Sequence, residues 1–197
     1  MKRELLSFTT VFMLLIACLA PVLIQSSTVS ADENDIIFSS NFDDGNIVDW
    51  AAFGGGGKLD IDSSVSHSGE YSMKTTERFE AYHGPSINAD SLFRPEKTYS
   101  FTAWAYQKSD SMKSLMWTLR YVDSLGVSQF MNIASAELEP NLWTELTGTI
   151  TIPEDSISYL LYFECANATV DFNIDDVEII GFLDGYKGLI YSEDVTL

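Results

Sequence analysis

Apolar and polar residues alternate in many short runs of this chain, and no segment of ten or more residues shows a helical period. Alternation with a period of two is typical of strands, because successive side chains point to opposite faces of a sheet. Many short strands separated by Gly, Ser, Pro, Asp and Asn turns predict an all-β protein, an antiparallel β-sandwich of the jelly-roll kind. The ten predicted strands cover residues 36–42, 58–62, 71–76, 85–89, 99–107, 115–123, 129–134, 143–150, 158–165 and 169–181.

The last two predicted strands carry the most informative pattern, and a short Ala-Asn-Ala turn is expected to join them. In the first, Tyr162 and Glu164 alternate with the apolar residues Leu161, Phe163 and Cys165. One face therefore supplies a core, and the other presents an aromatic ring beside a carboxylate. Aromatic rings stack on the C–H face of a sugar, and charged groups make strong hydrogen bonds to hydroxyls. This pattern suits sugar binding better than a reaction centre.

Arg120 is predicted to share that face. In the strand 115–123 the core positions are Leu115, Trp117, Leu119 and Tyr121. Arg120 then points the other way, as the cost of burying an unpaired charge requires. If this strand is central, Arg120 lies near Tyr162 and Glu164. The plainer alternatives are a half-buried sheet residue for Tyr162 and a solvated surface charge for Glu164.

The ends of the chain differ from this pattern. Residues 1–31 have the features of a secretory signal peptide: Lys2 and Arg3, a largely apolar run at 9–24, and the small-residue cleavage site Val29-Ser30-Ala31. We expect a secreted, extracellular protein; a membrane anchor and lipidation at Cys18 are the alternatives. Residues 182–197 lose the alternation and are predicted to be a tail or the start of a linker.

Length, charge and cysteine content narrow the possibilities further. A chain of 197 residues predicts one domain, over residues 32–181, with a real core. The formal net charge of −18 repels nucleic acid and anionic membranes, so neither is expected as a partner of the mature protein, which we expect to be a monomer. After signal cleavage only Cys165 remains, and no disulfide within the chain is possible.

Catalytic signatures are missing, whereas a metal site has some support. The sequence has no G-x-S-x-G or H-E-x-x-H motif, and its two histidines, His67 and His83, lie in turn-like contexts. No spacing singles out a pair of carboxylates, so no catalytic residues are predicted. Calcium prefers carboxylate and carbonyl oxygens. Asp43 near the first strand and Asp175 near the last would meet where the chain ends converge, with carbonyls from the turn at residues 67–70.

Eight short motifs follow one another along the chain. In order they are Asn41-Phe42-Asp43-Asp44-Gly45 with Trp50, His67-Ser68-Gly69-Glu70-Tyr71-Ser72, Ala81-Tyr82-His83-Gly84-Pro85-Ser86-Ile87, Pro95-Glu96-Lys97-Thr98-Tyr99, Leu119-Arg120-Tyr121-Val122-Asp123, Trp143-Thr144-Glu145-Leu146, Ile152-Pro153 and Val170-Asp171-Phe172-Asn173-Ile174-Asp175-Asp176. Each motif is weak alone, but their order and spacing are specific. Together they resemble family 22 carbohydrate-binding modules, which belong to a group of calcium-containing β-sandwich modules, galactose-binding-domain-like in fold, often found beside xylanases.

The resemblance implies a concave sheet that binds β-1,4-xylan through Tyr82, Phe130, Tyr162 and Glu164. Tyr82 stands where the family usually has Trp, and Phe130 where it has Tyr. Phe53 stands where the family has Arg, so a five-donor fork becomes a hydrocarbon ring, for which Arg120 would compensate in part. The resemblance also implies a structural Ca²⁺, held by carboxylates of Asp43 and Asp175 and a carbonyl of Glu70.

The expected function is that of a secreted, non-catalytic module that binds plant cell-wall polysaccharide, either xylan or a mixed-linkage β-glucan. Two alternatives stay open. In the first, the chain is an accessory part or fragment of a xylanase-type glycoside hydrolase. In the second, it is a cell-surface β-sandwich that contacts proteins. The Phe53 substitution favours the second of these, because it adds apolar surface next to Tyr82.

Overall fold

The computed structural model describes residues 35–181, which form two antiparallel sheets. The strands are β1 Asp35–Ser40, β2 Ala51–Ala52, β3 Lys58–Asp62, β4 Ser72–Thr76, β5 Pro85–Asn88, β6 Thr98–Gln107, β7 Lys113–Asp123, β8 Ser128–Leu138, β9 Thr144–Thr151, β10 Ser156–Cys165 and β11 Phe172–Gly181. A 3-10 turn at Phe53–Gly55 follows β2. Within residues 35–181 no helix is long and apolar enough to cross a membrane.

The two sheets differ in strand order. The five-stranded sheet runs β2-β5-β10-β7-β8, and the six-stranded sheet runs β3-β4-β11-β6-β9. β1 pairs with the second half of β11, beyond the part that pairs with β4. β10 and β11, each of ten residues, are therefore consecutive in sequence but lie in different sheets.

The core lies between the sheets and is built from the apolar side of each alternating strand. Trp117 of β7 stacks on Phe163 of β10 at 4.7 Å between ring centroids, and Phe101 of β6 meets Trp117 edge to face at 5.2 Å. All three side chains are buried. Such aromatic contacts add about 0.5–1.5 kcal/mol each to the burial of the ring area, so this cluster joins the sheets firmly.

The β-sandwich prediction is confirmed, and all ten predicted strands are present with small shifts at their ends. Leu115, Trp117 and Leu119 face the core as expected, and Cys165 is buried and free. The short Ala-Asn-Ala turn is corrected: the connection between β10 and β11 crosses from one sheet to the other, so these strands do not pair. Strand β2 has only two residues, both alanine, so it shows no alternation of apolar and polar positions and was not predicted. The predicted signal peptide at residues 1–31 and the tail at 182–197 lie outside the described residues.

Candidate functional site

Strand register brings four of the predicted residues onto the outward face of the five-stranded sheet. β10 lies between β5 and β7, so Tyr162 is opposite Thr118 of β7, two positions from Arg120. Arg120 is in turn directly opposite Phe130 of β8. Residues directly opposite each other share a face. The prediction that Arg120 shares a face with Tyr162 and Glu164 is therefore confirmed.

The Glu164 carboxylate is held in place by its neighbour across the strand pair. The Thr118 hydroxyl donates to Oε1 of Glu164 over 2.7 Å. Burial, and to a smaller extent the charge of Glu164, raises the pKa of Tyr162 to about 12. The phenol therefore stays protonated at any physiological pH. The Glu164 carboxylate is thus an oriented acceptor on this face, which suits hydrogen bonding to the hydroxyls of a neutral polyol.

Phe53 and Tyr82 come from loops beside β2 and β5 and cover one end of this face. The Phe53 ring lies over Tyr162 at 4.3 Å between centroids, with 32° between the planes, and meets Tyr82 edge-on at 6.2 Å. As a result Tyr162 is only 4% exposed, whereas Tyr82 is 42% and Phe130 is 61% exposed. The rings open to a ligand are therefore Tyr82 and Phe130. We call Phe53, Tyr82, Arg120, Phe130, Tyr162 and Glu164 the candidate site.

Arg78 fixes the loops from which this site is built, and sequence reasoning did not single it out. Its side chain is buried, and it lies over the Phe172 ring with 5.0 Å from the guanidinium carbon to the ring centroid. The guanidinium donates to six backbone carbonyls, those of Glu80, Ala81, His83, Cys165, Asn167 and Val170. Burial lowers the pKa of Arg78, but a guanidinium remains charged. One side chain thus ties the Tyr82 loop to the chain that follows Glu164.

Two further polar residues of this face were not predicted to have a role. Thr118 orients Glu164, and Asn132 lies exposed on β8 opposite Thr118. Strand parity was sufficient to find Asn132, because it is two residues from Phe130. No local pattern marks Arg78, since its carbonyl partners are up to 92 residues away in sequence.

The three predicted metal ligands converge on the turn at residues 67–70. Asp43 Oδ1 accepts from the Glu70 amide over 2.7 Å, and Asp175 Oδ2 accepts from the His67 amide over 2.8 Å. Gly69, at φ +58°, passes so close to the Asp43 carboxylate that any side chain there would collide with it. A bulge in β11 next to Asp175 directs its carboxylate to the same turn.

The chemistry of these residues fits a calcium ion only in part. The backbone amides of Glu70 and Tyr71 both donate to Oδ1 of Asp43, so Oδ2 accepts neither of these hydrogen bonds. Asp175 is completely buried, and this burial raises its pKa to about 6, the condition that a neighbouring cation would relieve. Within residues 35–181, however, no three His, Cys, Asp or Glu side chains are grouped to hold a metal. Carbonyl oxygens, such as that of Glu70, would have to complete a site.

A second group of rings lies on the outward side of the six-stranded sheet. The His67 ring stacks on Trp104 at 3.8 Å between centroids, and Trp143 lies between His67 and Tyr106, at 5.8 and 5.2 Å. Nδ1 of His67 is 2.6 Å from Oδ2 of Asp176. We call His67, Trp104, Tyr106 and Trp143 the outer cluster. His67, which the sequence places only in a turn-like context, anchors its turn to the sheet.

A β-sandwich with open rings beside a fixed carboxylate on one sheet face is the arrangement of a sugar-binding module. Comparison with known proteins agrees: the family model described as "Carbohydrate binding domain" matches residues 34–169, and the chain belongs to that family. The CBM22-1 xylan-binding domain of Paenibacillus barcinonensis Xyn10C is 25% identical and superposes with a TM-score of 0.73, over 79% of this chain and 99% of that one. The family 22 resemblance is thereby confirmed.

Enzymes that match the chain do so only over a small part of their own length. Endo-1,4-beta-xylanase A of Thermotoga maritima is 34% identical over 148 residues, which is 74% of this chain and 14% of the enzyme. A "Xylanase/beta-glucanase" of Ruminococcus flavefaciens is 28% identical, over 81% of this chain and 19% of the enzyme. Because an isolated binding domain is matched over nearly its whole length, this domain is a non-catalytic carbohydrate-binding module.

Proposed function

We propose that this module binds β-1,4-linked xylan at the candidate site, with a mixed-linkage β-glucan as the second possible ligand. The observation that carries the proposal is one sheet face that bears the oriented Glu164 carboxylate and the open Phe130 ring, with the open Tyr82 ring in the loop beside it. Both rings offer a stacking surface, and the carboxylate accepts hydrogen bonds from sugar hydroxyls. The neutral ligand is also compatible with a formal net charge of −18.

The names of similar proteins support these two ligands. The structural relative from Paenibacillus barcinonensis is called xylan-binding, and the Ruminococcus flavefaciens enzyme is named for both xylan and β-glucan hydrolysis. Phe53 distinguishes this chain, because the resemblance expects Arg there. Loss of one charge-assisted hydrogen bond costs about 1.5–3 kcal/mol, which is roughly ten- to a hundred-fold in affinity. Arg120, opposite Phe130, is the charged donor of the candidate site.

Affinity electrophoresis of residues 32–197, through gels with soluble xylan, barley β-glucan or no polysaccharide, tests the ligand. Retardation by xylan supports the proposal, and retardation by β-glucan alone keeps the site but changes the ligand. Equal migration in all three gels contradicts glycan binding and favours contact with a protein. The expected route to such ligands is secretion, with cleavage after Ala31.

We also propose a structural Ca²⁺ at the turn formed by residues 67–70, with Asp43 and Asp175 as carboxylate ligands and Glu70 supplying its carbonyl. The fully buried Asp175 supports this, since a buried charge needs compensation. At free Ca²⁺ of about a hundred times its Kd, binding would stabilise the fold by about 2.7 kcal/mol. A chelator should therefore lower Tm, and Asp43→Asn should abolish the effect. Asp60→Asn on β3 is the matched control, in which the calcium response should remain.

The pH dependence of this stabilisation follows from Asp175. Its pKa in the folded protein is about 6, raised from the ordinary value of 3.8. Between these values the folded protein binds a proton that the unfolded chain has released, so the stability of the metal-free protein falls as pH rises from about 4 to about 6. Calcium competes with that proton. Its effect on Tm should accordingly be larger at pH 7 than at pH 4.5, and a shift that is independent of pH would contradict the role of Asp175.

A further inference from the structure

An exposed ring outside the candidate site continues the row of rings that begins at Tyr162. Phe79 is 65% exposed, more than either Tyr82 or Phe130. Its ring is perpendicular to the buried His83 ring, at 4.2 Å and 81°, and Tyr82 meets His83 at 4.9 Å and 82°. Phe79 and Tyr82 therefore both stand edge to face against one imidazole. Successive ring contacts run from Tyr162 through Phe53, Tyr82 and His83 to Phe79.

The glycine loop beneath this row holds the rings close and leaves them open. A Cβ on Gly54 would lie 2.5 Å from the Tyr82 ring, and one on Gly56 would lie 2.7 Å from the Phe79 ring and collide with His83. Glycine at both positions is therefore needed for the rings of Tyr82, Phe79 and His83 to pack against this loop. The loop therefore gives Phe79 a support from below while its other side remains in solvent.

The backbone on both sides of Phe79 is also held. Arg78, the preceding residue, is buried and bound to six carbonyls, including those of Glu80 and Ala81. A ring on such a fixed loop loses little conformational entropy when a ligand binds. A large apolar side chain that is both held and exposed, and that adjoins a binding site, is typical of an interaction surface.

We propose that Phe79 provides an additional sugar-stacking position, which extends the candidate site beyond Tyr82 and favours long glycan chains over short ones. The proposal rests on the function proposed above, since the occupant is the continuation of the same glycan. A chain bound between Tyr82 and Glu164 that extends past Tyr82 would next meet Phe79. Short oligosaccharides would end before reaching it.

The test compares binding of xylotriose and xylohexaose by calorimetry in the full chain. Phe79→Ala should weaken the affinity for xylohexaose about five-fold and leave the affinity for xylotriose unchanged. Phe79→Tyr keeps a ring and should bind xylohexaose as tightly as the native protein does. Ile36→Ala is the matched control: Ile36 is 56% exposed on β1 in the other sheet, so its removal should affect neither ligand.

Two results would overturn the proposal. An equal loss for both ligands would place Phe79 among the residues that merely support Tyr82, and no loss for xylohexaose would show that the chain does not reach it. Glu164→Gln separates this from failure of the function itself. If Glu164→Gln weakens both ligands while Phe79→Ala weakens neither, the function stands and the extension does not. If the native protein binds neither ligand, xylan binding and the extension both fail.

Discussion

Both sheets carry aromatic side chains on their outward faces, but they use these rings differently. In the candidate site Tyr82 and Phe130 are 42% and 61% exposed, with a fixed carboxylate nearby. In the outer cluster His67 lies parallel to Trp104 at 3.8 Å, and Trp143 covers its edge. Rings that pack on each other contribute stability, whereas rings supported from below but not covered offer their faces to a ligand. Aromatic residues on a sheet face are therefore insufficient evidence of a sugar site.

The largest expected effect concerns Arg78, which fixes the loops from which the candidate site is built. Lys places its donors on a single nitrogen and cannot reach six carbonyls in two segments. Arg78→Lys should lower the free energy of unfolding by about 3 kcal/mol or more, because buried carbonyls lose their partners. Glycan affinity should fall with it. Urea unfolding and calorimetry measure the two effects.

Arg120→Lys is the matched control for Arg78, because Arg120 is only partly buried on β7. Its effect on stability should stay within about 0.5 kcal/mol. Similar unfolding midpoints for the two variants would contradict the role assigned to Arg78.

Removing one charge from each sheet face separates the effect of position from that of net charge. Glu164→Gln keeps the shape of the side chain but loses a charged acceptor, so glycan affinity should fall about ten- to a hundred-fold while Tm changes little. Glu145→Gln makes the same change on β9, next to Trp104 of the outer cluster, and should leave affinity unchanged. Equal losses in the two variants would mean that net charge, not position, governs binding.

The buried position of Tyr162 changes which substitution tests it. Tyr162→Ala would leave a cavity beneath Phe53, so a loss of binding would be mixed with a loss of packing. Tyr162→Phe removes only the hydroxyl. We expect it to weaken binding less than Glu164→Gln does, because a neutral hydrogen bond contributes about 0.5–1.5 kcal/mol.

The smallest effect on binding is expected from the outer cluster. His67→Ala removes the stack on Trp104 and the contact with Asp176, and should lower stability by about 1–2 kcal/mol. Glycan affinity should remain that of the unchanged protein. A weakened affinity at constant stability would instead make the outer cluster a binding surface, and the distinction between the two faces would be lost.

The alternation of residues was enough to predict the strands and the sharing of a face by Arg120, Tyr162 and Glu164. It worked because side-chain direction in a strand follows parity, which is a local property. The pairing of β10 with β5 and β7, rather than with β11, was not predictable in this way. Strand partners depend on how apolar faces from distant segments pack, and the alternation of β10 and β11 is equally compatible with either arrangement.

By itself, the sequence determined the fold class, the core face of each strand and the residue types of a sugar-binding surface. Only the tertiary structure decided that Phe53 covers Tyr162, that Tyr82 and Phe130 stay open, and that Arg78 joins the loops around them. The physical reason is distance along the chain. Exposure and support are set by contacts between segments that are remote in sequence, whereas side-chain direction is set within each strand.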